Sequence, residues 1–165
     1  MEPFATHLAQ ALLFIFPAYC ANAAPVIFGG GRPIDGGRNF LDGKPIFGAH
    51  KTFRGILAGL VIGTLVGVVQ NILFQYNGLL GLALSLGALL GDLTKSFVKR
   101  RLAIPPGAPL PIADQLDFVL GAFLLSLLVS PPSISTFLIV LIVTPPIHLV
   151  TNFLAYRLGL KDTMW

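Results

Sequence analysis

The chain alternates long apolar runs with short polar breaks, and the runs have the length of membrane-crossing helices. Five segments stand out, at about 5–27, 55–74, 78–97, 113–130 and 134–157. Each is close to the ~20 residues a helix needs to cross a bilayer core of about 30 Å. Two breaks are tiny, Gln75-Tyr76-Asn77-Gly78 and Pro131-Pro132-Ser133; the other two, 28–54 and 98–112, are longer and charged. The pattern predicts an all-α integral membrane protein. It would be a single bundle of about five transmembrane helices, one catalytic domain over residues 1–165. Within the second run, Gly55, Gly59, Gly63 and Gly67 recur every four residues. That spacing predicts close helix packing through small residues. No long repeat, low-complexity tail or heptad interrupts the picture.

Composition agrees with this reading. The chain is 55% hydrophobic and 11% charged, with mean hydropathy +0.82, whereas soluble domains carry about 25% charged residues. A single cysteine, Cys20, excludes an internal disulfide and a thiolate metal cluster. Ala21-Asn22-Ala23 has the look of a signal-cleavage site. The chain begins Met1-Glu2-Pro3-Phe4, however, without a basic residue, and Tyr19 before Cys20 does not suit a lipoprotein site. The first segment is therefore expected to be a permanent span.

Charge orients the bundle. All eleven Lys and Arg lie in or beside the two long breaks or in the C-terminal tail. With an odd number of spans, these all fall on one side. The positive-inside rule makes that side cytoplasmic, with the N-terminus outside and the C-terminus inside. The pI near 9.6 then reflects topology, and no nucleic-acid partner is needed. Tyr76, Tyr156 and Trp165 read as interface anchors, Asn22 and Asn152 as helix–helix hydrogen bonders, and His7 as structural.

Three aspartates break the hydrocarbon. Counted from the outer ends at 1.5 Å per residue, Asp92 lies roughly 21 Å deep, and Asp114 and Asp117 roughly 20–24 Å. All three sit at one level in the inner part of the bilayer. Asp114 and Asp117 share a helix face at i, i+3; Asp92, Ser96 and Lys99 line another. Carboxylates at such depth mark function. They suit Mg²⁺, a hard cation that takes oxygen ligands and shares substrate phosphates. The competing reading is internal ion pairs, Asp92 with Lys95 or Lys99 and Asp114 with an arginine. His148, at the same depth on the last span, reads as a packed, hydrogen-bonded residue.

The loop 28–54 is glycine-rich and carries Arg32, Arg38, Lys44, Lys51 and Arg54. It contains neither a P-loop nor a dinucleotide fingerprint. A polybasic loop against anionic lipid accounts for its cations. A polyphosphate site accounts also for its glycines, which let backbone N–H groups approach phosphate, and for the dense Gly48-to-Gly55 run. His50 could be a phosphate donor, a general base or a helix cap.

These elements together resemble a known family. The stretch Gly91-Asp92-Leu93-Thr94-Lys95-Ser96-Phe97-Val98-Lys99-Arg100, followed by Asp114-Gln115-Leu116-Asp117, is similar to the signature of the membrane CTP-dependent lipid cytidylyltransferases. That family's Lys-Asp pair falls here at Pro105-Pro106. Its Gly-His-Gly-Gly stretch is replaced by residues 107–111, and its Arg between the aspartates is Gln115. The archaeal branch, the CDP-archaeol synthases, resembles the chain more closely. The likeness there extends to Pro17-Ala18-Tyr19, Ala21-Asn22, Pro25 and the loop from Gly37 to Gly55.

The resemblance implies CTP and 2,3-bis-O-(geranylgeranyl)glycerol 1-phosphate as substrates, and CDP-lipid and pyrophosphate as products. It implies a multi-pass cell-membrane enzyme with its site facing the cytoplasm. Asp92, Asp114 and Asp117 would hold Mg²⁺. Lys99 and Arg100 would hold the phosphates of one substrate, and Arg38, Lys44, His50, Lys51 and Arg54, with Lys95 and Ser96, would serve the phosphate sites as well. Two other classes fit the residues less well. A CDP-alcohol phosphotransferase requires an Asp-Gly-x-x-Ala-Arg motif and an Asp-x-x-x-Asp spacing that Asp35-Gly36-Gly37-Arg38 and Asp114/Asp117 lack. A cation or phosphate transporter would need polar groups along a through-path, and the outer half of the spans has almost none.

Overall fold

Each apolar run folds as a helix, and the polar breaks decide where the helices stop. The computed structural model describes residues 3–105, 108–161 and 163. Glu2, Trp165, Pro106 and Gly107, which entered the sequence reading, lie outside the described residues. The helices are α1 (Phe4–Phe28), α2 (Phe53–Phe74), α3 (Leu80–Arg101), α4 (Ala113–Ser126) and α5 (Ile134–Arg157). Among the described residues, α1, α2, α3 and α5 are long and apolar enough to cross a membrane.

Two boundaries differ from the sequence reading. The fourth element was expected over 113–130, but its helix ends at Ser126 after 14 residues, about 21 Å and short of a full crossing. There the ladder tightens to i→i+3 bonds, with the amides of Leu128 and Val129 donating to Leu125 and Ser126 at 3.2 and 3.0 Å. Pro131 and Pro132, which have no N–H, prevent resumption of the helix. The third helix instead runs one turn beyond the expected 97, to Arg101. Lys99, Arg100 and Arg101 therefore project from a helix and not from a loop. Cations in the last turn also complement the helix dipole.

α1 is the hub. It packs on all four other helices, while α3 lies between α2 and α4, and α5 covers α1 and α4. The glycine stripe of α2 faces inward, as its spacing predicts: Gly55, Gly59, Gly63 and Gly67 are all buried. A Cβ at Gly59 would meet the Ala21 carbonyl of α1, and one at Gly67 would meet the Gly81 backbone of α3. Ile15, Leu84, Ala88, Val119, Ala122 and Val140 fill the centre. The Tyr19 hydroxyl and Thr144 Oγ1 share a hydrogen bond of 2.7 Å across α1 and α5. Leu57, Val61 and Leu65 of α2 and Ile134, Leu138 and Ile142 of α5 point outward and are exposed, a surface suited to hydrocarbon.

Smaller expectations resolve unevenly. His148 packs against the Phe118 ring and meets Asn152 Nδ2 at 3.1 Å, as a hydrogen-bonded packed residue should. Asn152 was expected to link helices. Its partners are instead His148 on its own helix and Lys161 in the tail. The Asn22 side chain, within α1, makes no hydrogen bond to another helix among the described residues.

Candidate active site

The loop 28–54 is a folded lobe, and Asp35 organises it. The buried Asp35 carboxylate accepts N–H groups from Gly37 at 2.9 Å, Phe47 at 2.9 Å and Gly48 at 3.0 Å. Burial pushes the Asp35 carboxyl up, but these donors outweigh it and hold it below the usual carboxylate range. Gly37 and Gly48 reach the carboxylate with φ of 72° and 99°, a region side chains rarely adopt. Two of the loop's glycines thus have a conformational reason that needs no phosphate. Ile34 N donates to Lys51 O at 2.8 Å, and the Thr52 hydroxyl caps α2 by accepting Gly55 N at 3.1 Å. The loop therefore hands Lys51 directly to the mouth of the bundle.

A second clamp fixes the lobe to α3. Arg101 lies over the rings of Phe40 and Phe97, at 5.1 and 4.7 Å. Its Nε is 3.0 Å from Asp42, and Lys44 Nζ donates to the Arg101 carbonyl at 2.8 Å. Sequence reasoning counted Arg101 only as a topological charge and missed Asp35 as a staple. An Asp followed by two glycines signals the local Asx turn. The reach to Phe47 and Gly48 is tertiary and leaves no local pattern.

The charged centre lies where the lobe, α3 and α4 meet. Lys95 Nζ stands 3.2 Å from Asp92 Oδ1, 3.4 Å from Asp114 Oδ1 and 2.9 Å from Asp117 Oδ2. Lys51 of the lobe reaches Asp92 Oδ2 at 2.5 Å. Lys99 donates to both Asp114 oxygens at 3.0 Å and to the Ala108 carbonyl at 2.6 Å. Asp114 Oδ2 also takes the Leu110 N–H at 2.6 Å, which pins the approach to α4. The three aspartates share one level, as the residue count predicted. Their closeness depends on Gly91: a Cβ there would meet the Asp117 carbonyl, so only glycine lets α3 and α4 approach this closely.

The remaining predicted site residues are not in the cluster. The Ser96 hydroxyl bonds back to the Asp92 carbonyl at 2.8 Å. Arg100 is buried, its Nε without a partner among the described residues, and its guanidinium lies close to Gly48. Arg38, His50 and Arg54 are exposed, and their side chains make no hydrogen bond or ion pair among the described residues.

A divalent cation fits this donor set. As they stand, the aspartates surround an ammonium, and no three acidic, histidine or cysteine groups among the described residues are arranged to share a metal ion. The donors are nonetheless hard, anionic oxygens. Both carboxylate oxygens of Asp117 are buried; the Lys95 ammonium lies 2.9 Å from Oδ2, and Oδ1 has no side-chain partner among the described residues. A buried carboxylate oxygen without a donor is costly, and a hard cation would satisfy it.

Comparison with known proteins places this geometry in a family. Residues 4–165 match the model of the CarS-like family, CDP-archaeol synthase. A CDP-archaeol synthase of Methanocaldococcus jannaschii is 43% identical, over 96% of this chain and 97% of its own. One from Pyrococcus furiosus is 47% identical, over 96% and 98%. A solved structure described as an intramembrane enzyme for archaeal membrane lipids biosynthesis superposes with TM-score 0.82 at 38% identity. That likeness covers 88% of this chain and 94% of the other. With a family match over nearly its whole length and relatives this similar, the chain belongs to the CDP-archaeol synthase family.

Proposed function

We propose that this protein transfers the cytidylyl group of CTP to 2,3-bis-O-(geranylgeranyl)glycerol 1-phosphate. A phosphate oxygen of the lipid attacks the α-phosphorus of CTP, a new P–O bond forms, and the bond to the β-phosphate breaks to release pyrophosphate. The nucleophile is already anionic, because a phosphate monoester has a second pKa of about 6. No general base is then required, and catalysis reduces to positioning and charge neutralisation.

The observation that carries this reading is the convergence of Asp92, Asp114 and Asp117 with Lys51, Lys95 and Lys99 at one end of an apolar bundle. Asp92, Asp114 and Asp117 would hold Mg²⁺. When bound, that ion would polarise the α-phosphorus and neutralise charge on the departing pyrophosphate. Arg100, together with Lys99, would hold one substrate's phosphates near the cluster. Arg38, Lys44, His50, Lys51 and Arg54 would draw the other's to the lobe. Ser96 would keep the Asp92 turn of α3 in register through its bond to the Asp92 carbonyl. The lipid enters sideways between helices and leaves its tails in the bilayer.

We further place all five helices in the membrane as one catalytic domain, α4 crossing together with its tightened continuation to Ser130. The N-terminus lies outside, and the C-terminus, lobe and site face the cytoplasm. The support is the one-sided distribution of Lys and Arg. Cysteines introduced near Pro3 and Leu160 in a Cys20→Ser background should label from opposite sides of sealed vesicles.

The test of the activity is direct. Purified protein in detergent receives Mg²⁺, labelled CTP and the ether-lipid phosphate. Formation of CDP-lipid and pyrophosphate should require both CTP and Mg²⁺. Absence of product with this lipid and with phosphatidic acid would overturn the reading.

A further inference from the structure

We propose that Lys95 is the resident counter-ion of the carboxylate triad and competes with the divalent cation for the same oxygens. This rests on the assignment of Asp92, Asp114 and Asp117 to metal given above. Lys95 Nζ lies within 3.4 Å of one oxygen from each aspartate. The ammonium therefore stands where a cation shared by the three carboxylates must stand. A long, flexible, singly charged side chain can leave such a position by rotating about its stem, and the Lys95 side chain is 17% exposed on the site side of α3.

The charge count supports exchange over simple addition. Asp92, Asp114 and Asp117 contribute three negative charges, and their ion-pair partners Lys51, Lys95 and Lys99 contribute three positive ones. Within these ion pairs the charges balance among the described residues. A divalent cation added to the cluster would leave two uncompensated positive charges in a partly buried site, which is unfavourable. Withdrawal of Lys95 lowers that excess to one, and a polyphosphate supplies the rest. Lys51 and Lys99 are poorer candidates to leave. Lys51 is tethered through the lobe, and Lys99 is held by the Ala108 carbonyl as well as by both Asp114 oxygens.

Two consequences follow. Without nucleotide, the protein binds divalent cations weakly, because Lys95 must be displaced first. With nucleotide, the released ammonium has phosphate oxygens to meet, so metal and nucleotide bind with positive coupling. Lys95 thereby keeps three close carboxylates from repelling one another in the unloaded protein.

The experiment measures Mn²⁺ binding by electron paramagnetic resonance on detergent-purified protein, without lipid or nucleotide. Lys95→Met keeps the length of the side chain and removes its charge. The expected result is Mn²⁺ affinity about tenfold to a hundredfold above wild type, the scale on which neighbours of metal ligands act. Mg²⁺ should also raise the thermal midpoint of Lys95→Met more than that of wild type. Equal affinity in the two proteins would overturn the competition while leaving the metal assignment intact. No Mn²⁺ bound to either protein, or undiminished binding in Asp117→Asn, would overturn the metal assignment and this proposal with it. If Lys95→Met does not give a folded protein, Lys95→Arg decides. Its larger, charge-retaining side chain should bind Mn²⁺ no more tightly than wild type, and a gain in affinity would refute exchange.

Discussion

The Lys51 ammonium meets the Asp92 carboxylate at 2.5 Å, tying the glycine-rich lobe to a helix 41 residues further along the chain. Both side chains are largely shielded, at 26% and 17% exposure, so the pair is not a freely solvated surface bridge. Loss of a hydrogen bond to a charged group in such a position costs about 1.5–3 kcal/mol. Lys51→Met should therefore lower kcat/KM for CTP by roughly tenfold to a hundredfold, with the bundle intact. Initial rates across a CTP series, beside a size-exclusion profile, check this. Unchanged rates would show that the lobe docks without Lys51.

Asp117 carries the sharper expectation. Its carboxylate is buried on α4 with the Lys95 ammonium 2.9 Å from Oδ2, so it belongs to the charged cluster and not to the apolar packing of the bundle. Asp117→Asn changes shape very little. It should leave the thermal midpoint near that of wild type and cut turnover by more than about a hundredfold. Wild-type turnover in a folded Asp117→Asn protein would remove this residue from the metal assignment.

The sequence carried the shared level of the aspartates because residue rise in a helix is fixed: positions counted from two span ends reached one level, and Lys95 joins all three there. It also carried the α2 glycine stripe, a periodic signal. It did not carry the end of α4 at Ser126. Composition stays apolar to Val129, and only a local tightening of the ladder stops the helix. Nor did it disclose Asp35. The partners of that carboxylate, Phe47 and Gly48, lie twelve and thirteen residues away in a loop without periodicity. The ammonium at the centre of the triad was legible only as one of two readings. Charge and spacing allowed ion pairs and metal binding alike, and the structure shows the ion pairs, with Lys95 and not an arginine or Lys99 alone at their centre.

The glycines separate packing from chemistry. A Cβ at Gly67 would strike the Gly81 backbone, whereas one at Gly78 would meet nothing within 4 Å. Gly67→Val should therefore destabilise the α2–α3 contact by about 1–3 kcal/mol or more, lowering the monodisperse yield and the thermal midpoint. Gly78→Ala should change neither. Gly91→Ala is the informative intermediate. It forces α4 from α3 at the Asp117 carbonyl, so turnover should fall further than stability does. Equal behaviour of Gly67→Val and Gly78→Ala in thermal unfolding would contradict the packing described here.

Asp35 gives the lobe a dependence on pH whose sign follows from its environment. The carboxyl is held below its ordinary value of about 3.9 by the N–H groups of Gly48, Phe47 and Gly37, against the opposing effect of burial. The folded protein thus binds this proton less readily than the unfolded chain. The stabilisation is fully present above the unfolded pKa and is lost as pH falls through the lower folded one. Asp35→Asn removes the charge at every pH. At pH 7 it should destabilise the lobe by about 1–3 kcal/mol and slow turnover, because Lys51 reaches Asp92 from this lobe. The gap between wild type and variant should then begin to narrow as pH falls below about 4, and close once pH passes below the lowered pKa of the folded carboxyl, where wild type is neutral too. Protease cleavage rates within residues 36–47, measured from pH 7 to pH 3 with an acid-tolerant protease, read that gap directly. A gap that stays constant over the range would mean that the three N–H groups do not depend on the charge of Asp35.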